Sequence, residues 1–164
     1  MHVLLSIKPE FAEKIFNGTK KYEFRRTLFK KKDIDSIIVY VSSPIKKVIG
    51  ELLIDEILEE DIFELWEKTN NYSGIDENYF FNYFKGKKKG YAIKIKEAIR
   101  YKHSFDIKLL FGVNPPQSFL YIREKPNIIS EKYFDYPLNG ILRNHTISKL
   151  HITTALTRTR ARGA

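Results

Sequence analysis

The chain is 164 residues long and 43% apolar, enough for one domain with a hydrophobic core and a possible tail. It carries 29 lysines and arginines against 20 aspartates and glutamates. The resulting formal charge of +9 favours an anionic partner, with nucleic acid ahead of an acidic membrane. Lysines that merely solubilise an aromatic-rich domain are the alternative explanation. The chain contains no cysteine, which excludes disulfides, thiolate zinc sites and cysteine nucleophiles.

The histidines show no spacing typical of a metal site, so we expect neither a metal nor a cofactor. They are His2, His103, His145 and His151. The apolar run near the amino terminus, within residues 1–9, is too short for a signal peptide or a membrane span. We therefore expect a cytoplasmic protein that does not contact a membrane.

The first 26 residues predict a strand, a helix and a second strand. Residues 2–7 read as a short strand, and Pro9 suits the first turn of a helix over residues 9–17. The apolar stripe of this helix consists of Phe11, Ala12, Ile15 and Phe16. Gly18 stands where a glycine ends a helix, and residues 20–26 form the second strand.

Further strands alternate with two helices in the middle of the chain. Strands are predicted over residues 36–41, 48–57, 91–95 and 118–122, and helices over 61–68 and 76–84. Gly50 inside its strand suggests a bulge or a close backbone approach. Residues 105–111 fit either a strand or a short helix. The pattern predicts an α+β fold with a small mixed or antiparallel barrel, not a doubly wound parallel sheet.

The most informative stretch is the second strand with the glycine before it. Alternation places Tyr22 and Phe24 on one face, and Lys21, Glu23 and Arg25 on the other. The face away from the core then carries two cations bridged by a carboxylate. This arrangement suits a site that binds an anion while holding its own geometry.

Several motifs resemble the ASCH domain family. The opening block is Leu5-Ser6-Ile7-Lys8-Pro9, then Ala12-Glu13-Lys14-Ile15, then Gly18-x-Lys20-x-x-Glu23-x-Arg25. Weaker matches are Val39-Tyr40-Val41-Ser42-Ser43-Pro44, Val48-Ile49-Gly50-Glu51, Tyr91-Ala92-Ile93 and Pro115-Pro116-Gln117-Ser118-Phe119. Together they span roughly residues 3–122. The resemblance implies a PUA-like small β-barrel with flanking helices and a helix-lined cleft, in a superfamily associated with RNA.

The resemblance leaves the activity open. Some similar proteins are thought to bind RNA, one bacterial branch resembles an amidohydrolase of acetylated cytidine, and another relative is described as a ribonuclease. The amidohydrolase block has a catalytic lysine and threonine. Lys20 matches that lysine, but Glu23 occupies the threonine position, where a carboxylate cannot simply replace a hydroxyl nucleophile. Asp76 or Glu77 falls near a later glutamate of that branch, and the alignment there is too loose to transfer a role.

Lys20, Glu23 and Arg25 form the leading candidate site. A cationic pair can hold a phosphate while Glu23 orients Arg25 or accepts a base N–H. Lys20 joins the other two only if the chain bends after Gly18. The alternative is a surface ion pair worth under about 1 kcal/mol. In the binding interpretation Arg25 is exposed, and its loss weakens RNA binding with little change in stability.

Other residues extend this candidate site. Arg26 follows the strand directly, while Ser42 and Ser43 end a buried strand where cleft loops lie and could donate to a phosphate or a base. Simple turn residues are the alternative for the serines. Lys20 and Glu23 are the candidates for catalysis if the protein turns a substrate over.

Three other groups carry weaker signals. The aromatic residues of the second helix, Tyr79, Phe80, Tyr83 and Phe84, favour a core role over base stacking. The triplets Lys30-Lys31-Lys32 and Lys87-Lys88-Lys89 fit phosphate contacts or solvated turns equally well. The acidic residues over 55–61 lack the spacing of a metal loop and predict a solvated helix entry.

The sequence therefore predicts an ASCH/PUA-like domain over residues 1–122, a carboxyl-terminal extension over 123–152 and a disordered tail over 153–164. The predicted function is binding of RNA or a nucleotide in a basic cleft. One alternative is a hydrolase of a modified nucleoside or of RNA, of the amidohydrolase or ribonuclease type. A further alternative is an adaptor that binds an acidic protein.

Overall fold

A computed structural model describes residues 1–31 and 33–126. The strands are β1 His2–Ile7, β2 Tyr22–Arg25, β3 Ser36–Val41, β4 Lys47–Asp61, β5 Lys89–Phe105 and β6 Phe119–Ile122. The helices are α1 Pro9–Phe16, α2 Ile62–Thr69, α3 Glu77–Tyr83 and α4 Ile107–Phe111, with a short 3₁₀ turn at Asn70–Tyr72. No helix in this part of the chain is long and apolar enough to cross a membrane.

The six strands form one mixed sheet in the order β2-β5-β4-β3-β1-β6. The β1–β3 pair is parallel and the other pairs are antiparallel. Parallel neighbours need a crossover connection, and α1 lies in the segment between β1 and β3. Within the described chain no strand pairing joins β2 to β6. The α+β class with flanking helices is confirmed, whereas the sheet is open and the predicted barrel is not confirmed.

The central strands of the sheet form where the sequence predicted them. All six residues of β3 are buried, because β3 lies between β4 and β1 and helices cover the sheet. A strand in this position reads as a continuous apolar run without alternation. The predicted strands over 2–7 and 36–41 are therefore confirmed.

The two long strands extend beyond their predicted bounds. β4 continues to Asp61 and β5 begins at Lys89, so most of the predicted acidic helix entry is strand. The reason is cross-strand charge pairing: Lys94 Nζ on β5 lies 2.9 Å from Asp55 and 3.0 Å from Glu56 on β4. Only Asp61 matches the prediction, since its side chain caps α2.

Helix α1 packs on the sheet through the predicted apolar stripe. Ala12 and Ile15 are buried, and Phe11 and Phe16 pack against the same core cluster. The ring of Phe16 explains Gly50, because a Cβ there would lie 2.6 Å from Phe16 Cζ and 2.5 Å from a backbone oxygen. The register of β3 on β4 also shifts beside Gly50. Both parts of the prediction for this glycine, a bulge and a close approach, are confirmed.

Helices α2 and α3 form a second, aromatic core with the end of β2. Phe80 and Phe84 are buried, and their rings meet Phe24 edge to face at centroid distances of 5.1 and 6.3 Å. The core prediction is therefore confirmed for Phe80 and Phe84. The ambiguous residues 105–111 form the short helix α4, which Asp106 caps through two backbone N–H groups.

Asp76 caps the start of α3. Its carboxylate accepts a hydrogen bond from the Tyr79 backbone N–H at 2.8 Å. We expect Asp76→Ala to lower the free energy of unfolding by about 1 kcal/mol, and Asp76→Asn to retain most of the stability, because asparagine also caps helices. Urea denaturation measures both values. Equal losses in the two variants would contradict a capping role.

Candidate functional site

A cleft of about 330 Å³ opens where α1, α3 and β2 meet the loops that follow β1 and β3. Its lining residues are Ser6, Ile7, Lys8, Phe11, Lys20, Glu23, Phe24, Arg25, Ser42, Ile75, Tyr79, Tyr83 and Gln117. The volume lies at the lower end of the range for small-molecule sites. Apolar rings and a few converging charges make this the best candidate for a ligand site.

Lys20 is a buried ammonium at one side of the cleft. It precedes β2, so strand alternation does not apply, and its side chain lies with Glu23 and Arg25 along the same cleft. Its Nζ donates to the Ser73 carbonyl oxygen at 2.7 Å and lies 4.5 Å from the centre of the Phe24 ring. Burial lowers the pKa of Lys20 to about 8, against the opposing effect of Glu23.

Gly74 leaves room for the Lys20 side chain. A Cβ on Gly74 would lie 2.6 Å from Lys20 Cβ, and its φ of +68° belongs to the left-handed region that favours glycine. Lys14 also donates to the Gly74 carbonyl oxygen at 2.7 Å. The loop before α3 is thus fixed against the residues before β2, which holds the ammonium in place.

Glu23 is a buried carboxylate beside the two cations. It is 6% exposed, and its Oε1 lies 3.6 Å from Nη1 of Arg25. Burial raises the pKa of Glu23, while Lys20 and Arg25 oppose this shift. The alternative of a surface ion pair is wrong, because the face predicted to meet solvent lines a cleft instead.

Arg25 joins the two ends of the open sheet. From β2 its guanidinium donates to the Ser6 carbonyl oxygen on β1 at 3.4 Å and to the hydroxyl of Ser118, just before β6. Only 12% of its side chain is exposed. The predicted exposure of Arg25 is therefore wrong, and its replacement is now expected to lower stability. Its donors are largely used inside the protein.

Four of the six predicted site residues line the cleft. They are Lys20, Glu23, Arg25 and Ser42. Arg26 lies outside it and donates to the Lys85 carbonyl oxygen at 3.1 Å. Ser43 is exposed in the turn before Pro44 and does not line the cleft either. These placements do not test binding, so the roles of the six residues stay predictions.

Five polar residues of the cleft were not among the predicted site residues: Ser6, Lys8, Tyr79, Tyr83 and Gln117. Lys8 is exposed, and its Nζ lies 3.2 Å from the hydroxyl of Tyr79. Tyr83 donates from its hydroxyl to the Phe24 carbonyl oxygen at 3.1 Å. A signal existed in α3, where the hydroxyl-bearing rings at 79 and 83 share one face and the plain rings at 80 and 84 share another. Tyrosine in place of phenylalanine indicates a polar neighbourhood.

The cleft can hold an anion and a planar ring together. Lys8 and Lys20 supply positive charge, and Glu23 is a hydrogen-bond acceptor for an N–H group. The rings of Phe11 and Tyr79 meet edge to face at 5.4 Å at the rim. Across residues 1–31 and 33–126, no group of three or more metal-ligating side chains converges.

The described residues form an open six-stranded mixed sheet with flanking helices, which is an α+β architecture. The family model of the ASCH domain matches residues 5–117, and the chain belongs to this family. The resemblance noted in the sequence is therefore confirmed.

Proteins similar to this chain are found in Zymomonas mobilis and Ureaplasma parvum. An ASCH domain-containing ribonuclease of Zymomonas mobilis is 30% identical over 125 residues, which cover 74% of this chain and 84% of that protein. A crystal structure of a Tyr-to-Phe variant of the ASCH protein from Zymomonas mobilis has a TM-score of 0.71 and 26% identity, over 80% of this chain and 98% of that one. Large ribosomal subunit protein uL22 of Ureaplasma parvum is 28% identical over 123 residues, which cover 74% of this chain and 39% of that protein.

Proposed function

We propose that the protein binds RNA or a nucleotide in the cleft. The carrying observation is the convergence of two lysines, a buried carboxylate and aromatic rings in a space suited to one nucleotide. Family membership supports a role connected with RNA, since a relative is named a ribonuclease. The domain responsible is residues 1–122, acting in the cytoplasm.

In this proposal each cleft residue has a distinct task. Lys8 and Lys20 attract the phosphate, and Lys20 holds it in a region of low dielectric where the attraction is strong. Glu23 accepts a base N–H, and the tyrosine and phenylalanine rings at the rim pack against the base. Arg25 is a positioning residue, because it holds Glu23 and the edges of the sheet.

Lys8 offers the simplest test, because its side chain is exposed and its removal leaves the core intact. We expect Lys8→Gln to weaken RNA binding several-fold and to reduce the slope of log affinity against log salt by about 0.7, the value for one phosphate of a single strand. Fluorescence anisotropy at several salt concentrations measures both quantities.

Lys108→Gln is the matched control, since Lys108 is an exposed lysine on α4 that does not line the cleft. Equal effects of the two substitutions would mean that only net charge matters and would contradict cleft binding. If neither RNA nor nucleotide binds the wild-type protein, the adaptor for an acidic protein becomes the better hypothesis.

Hydrolysis of RNA is the second candidate function. One observation favours it: the lowered pKa of Lys20 leaves part of its amine neutral near pH 7–8, able to accept a proton from an attacking hydroxyl. The relative named a ribonuclease points the same way. Product formation from RNA by the wild-type protein, lost in a Lys20 variant that still folds, supports turnover; binding without products supports the first function alone.

A further inference from the structure

The turn after α3 adjoins the cleft. Tyr83, which lines the cleft, is the last residue of α3, and Lys85 follows two residues later, within about 8 Å along the backbone. Arg26 is the neighbour in sequence of the cleft residue Arg25 and donates to the Lys85 carbonyl oxygen at 3.1 Å. The backbone that follows Tyr83 and the hydrogen bond from Arg26 therefore both place this turn beside the cleft.

Four cations in this region face solvent without a carboxylate partner in the described chain. They are Arg26, Lys85, Lys87 and Lys88, which we call the basic rim. Lys89 is not part of it, because its ammonium lies 3.9 Å from Glu59. Cations that are not paired within the protein keep their charge available for an external anion.

The backbone of the basic rim is fixed. The Lys87 N–H donates to the Phe84 carbonyl oxygen at 2.9 Å, and the Lys88 carbonyl oxygen accepts from the Ile62 N–H at 3.2 Å. Phe84 is itself buried in the aromatic core. The lysines therefore project from an ordered turn, which lowers the entropy cost of holding a ligand there.

The other basic loop lies at the far end of β1. Lys31 Nζ lies 3.4 Å from the sulfur of Met1, and the Lys30 N–H donates to the Tyr121 hydroxyl at 2.8 Å. The cleft is instead at the Ile7 end of this strand. His2 and Ile7 are five residue steps apart along β1, about 17 Å at the usual rise. The two lysine clusters look alike in the sequence, but only the one after α3 lies next to the cleft.

We propose that the basic rim binds the phosphates of nucleotides adjoining the one in the cleft, so that the preferred ligand is a single strand of RNA and not a free nucleotide. This rests on the proposed function of the cleft. One nucleotide fills the cleft, and the strand leaves it past Tyr83 and Arg26 toward Lys87 and Lys88. The rim adds affinity through the backbone and reads no sequence.

Two double variants that each remove two positive charges test this inference. Lys87→Gln with Lys88→Gln alters the rim, and Lys30→Gln with Lys31→Gln alters the distant loop. The probes are a labelled single-stranded RNA octamer and the four nucleoside monophosphates, titrated at several salt concentrations. We expect the rim variant to bind the octamer about tenfold more weakly and to lose about 1.4 from the salt slope, with mononucleotide affinity unchanged. The loop variant keeps the wild-type slope.

The failures of the rim and of the cleft are distinguishable. If the octamer binds no tighter than a mononucleotide, or both double variants weaken it equally, the rim proposal is overturned while cleft binding stands. If no mononucleotide binds and Lys8→Gln has no effect, but the rim variant alone loses the octamer, the cleft function fails and the rim remains an RNA contact. Absence of all binding overturns both.

Discussion

Replacing Arg25 with alanine is expected to lower the free energy of unfolding by about 3 kcal/mol. The substitution removes two hydrogen bonds to the segments around β1 and β6, and leaves the buried Glu23 without its ion-pair partner. Breaking a buried pair by removing one member costs about 3–5 kcal/mol, because the remaining charge is left uncompensated. We take the lower value since 12% of the side chain is exposed. Urea denaturation followed by tryptophan fluorescence measures the change.

Arg26→Ala is the matched control for this experiment. Arg26 is the adjacent arginine, exposed, with one hydrogen bond to a backbone carbonyl. Its replacement should change the free energy of unfolding by no more than about 1 kcal/mol. A loss below 1 kcal/mol for Arg25→Ala, or similar losses for both variants, would show that Arg25 does not hold the sheet edges together.

Lys20→Met is expected to weaken ligand binding at least about 100-fold at pH 7, since it removes a buried charge that would face the phosphate. Methionine has a similar length and is apolar, so it fills the space over Gly74 without leaving a charge in the core. The structural effect is therefore small compared with the loss of binding. Calorimetric titration with RNA measures the affinity of both proteins, and an affinity within a factor of three of wild type would exclude Lys20 from the site.

The same variant has a distinct pH signature. In the folded protein the pKa of Lys20 is about 8, below its ordinary 10.5, so the unfolded chain binds more protons between these values. Stability of the wild-type protein should therefore rise relative to Lys20→Met as the pH increases from about 8 to about 10.5. RNA affinity of the wild type should fall above pH 8, as the ammonium loses its proton. Parallel stability curves for the two proteins would contradict a lowered pKa.

The contribution of Glu23 to stability changes with pH in the opposite direction. Its pKa is raised by burial, so the folded protein binds more protons than the unfolded chain above pH 4.5. Its contribution to stability is present below that pH and is lost as the pH rises through the folded-state pKa. A rise in pH therefore lowers the contribution of Glu23 to stability and raises that of Lys20, so the two effects differ in sign.

Local sequence patterns predicted the helices and strands well. They predicted the surroundings of the charged side chains less well. The apolar run of β3 and the proline-started stripe of α1 are local signals, and both elements formed where predicted. In β2 the alternation of side chains predicted a polar face. It could not distinguish a face exposed to solvent from one that lines a cleft. Two residues of α3, more than fifty residues later in the chain, line the same cleft as Glu23. The burial of this carboxylate therefore depends on contacts that no local pattern contains.

The acidic stretch at the end of β4 shows a similar limit. Consecutive carboxylates have low strand propensity, so a helix entry was the better local prediction. Lys94 on β5 pairs with Asp55 and Glu56 and offsets that preference. Likewise, Arg25 donates to the hydroxyl of Ser118, which lies 93 residues later in the chain. This contact follows from the topology of the sheet and could not be predicted from the spacing of residues in the sequence.

The way in which Arg25 joins the two ends of the sheet affects how the domain opens. In the described residues, the hydrogen bonds that join β2 to the segments around β1 and β6 come from the Arg25 guanidinium, whereas strands that are neighbours in the sheet are joined by a backbone ladder. Parting these edges breaks side-chain bonds worth about 1–3 kcal/mol each, and leaves all strand pairing intact. This edge of the cleft is therefore held by side-chain hydrogen bonds and not by a backbone ladder, and we expect thermal opening of the domain to begin there.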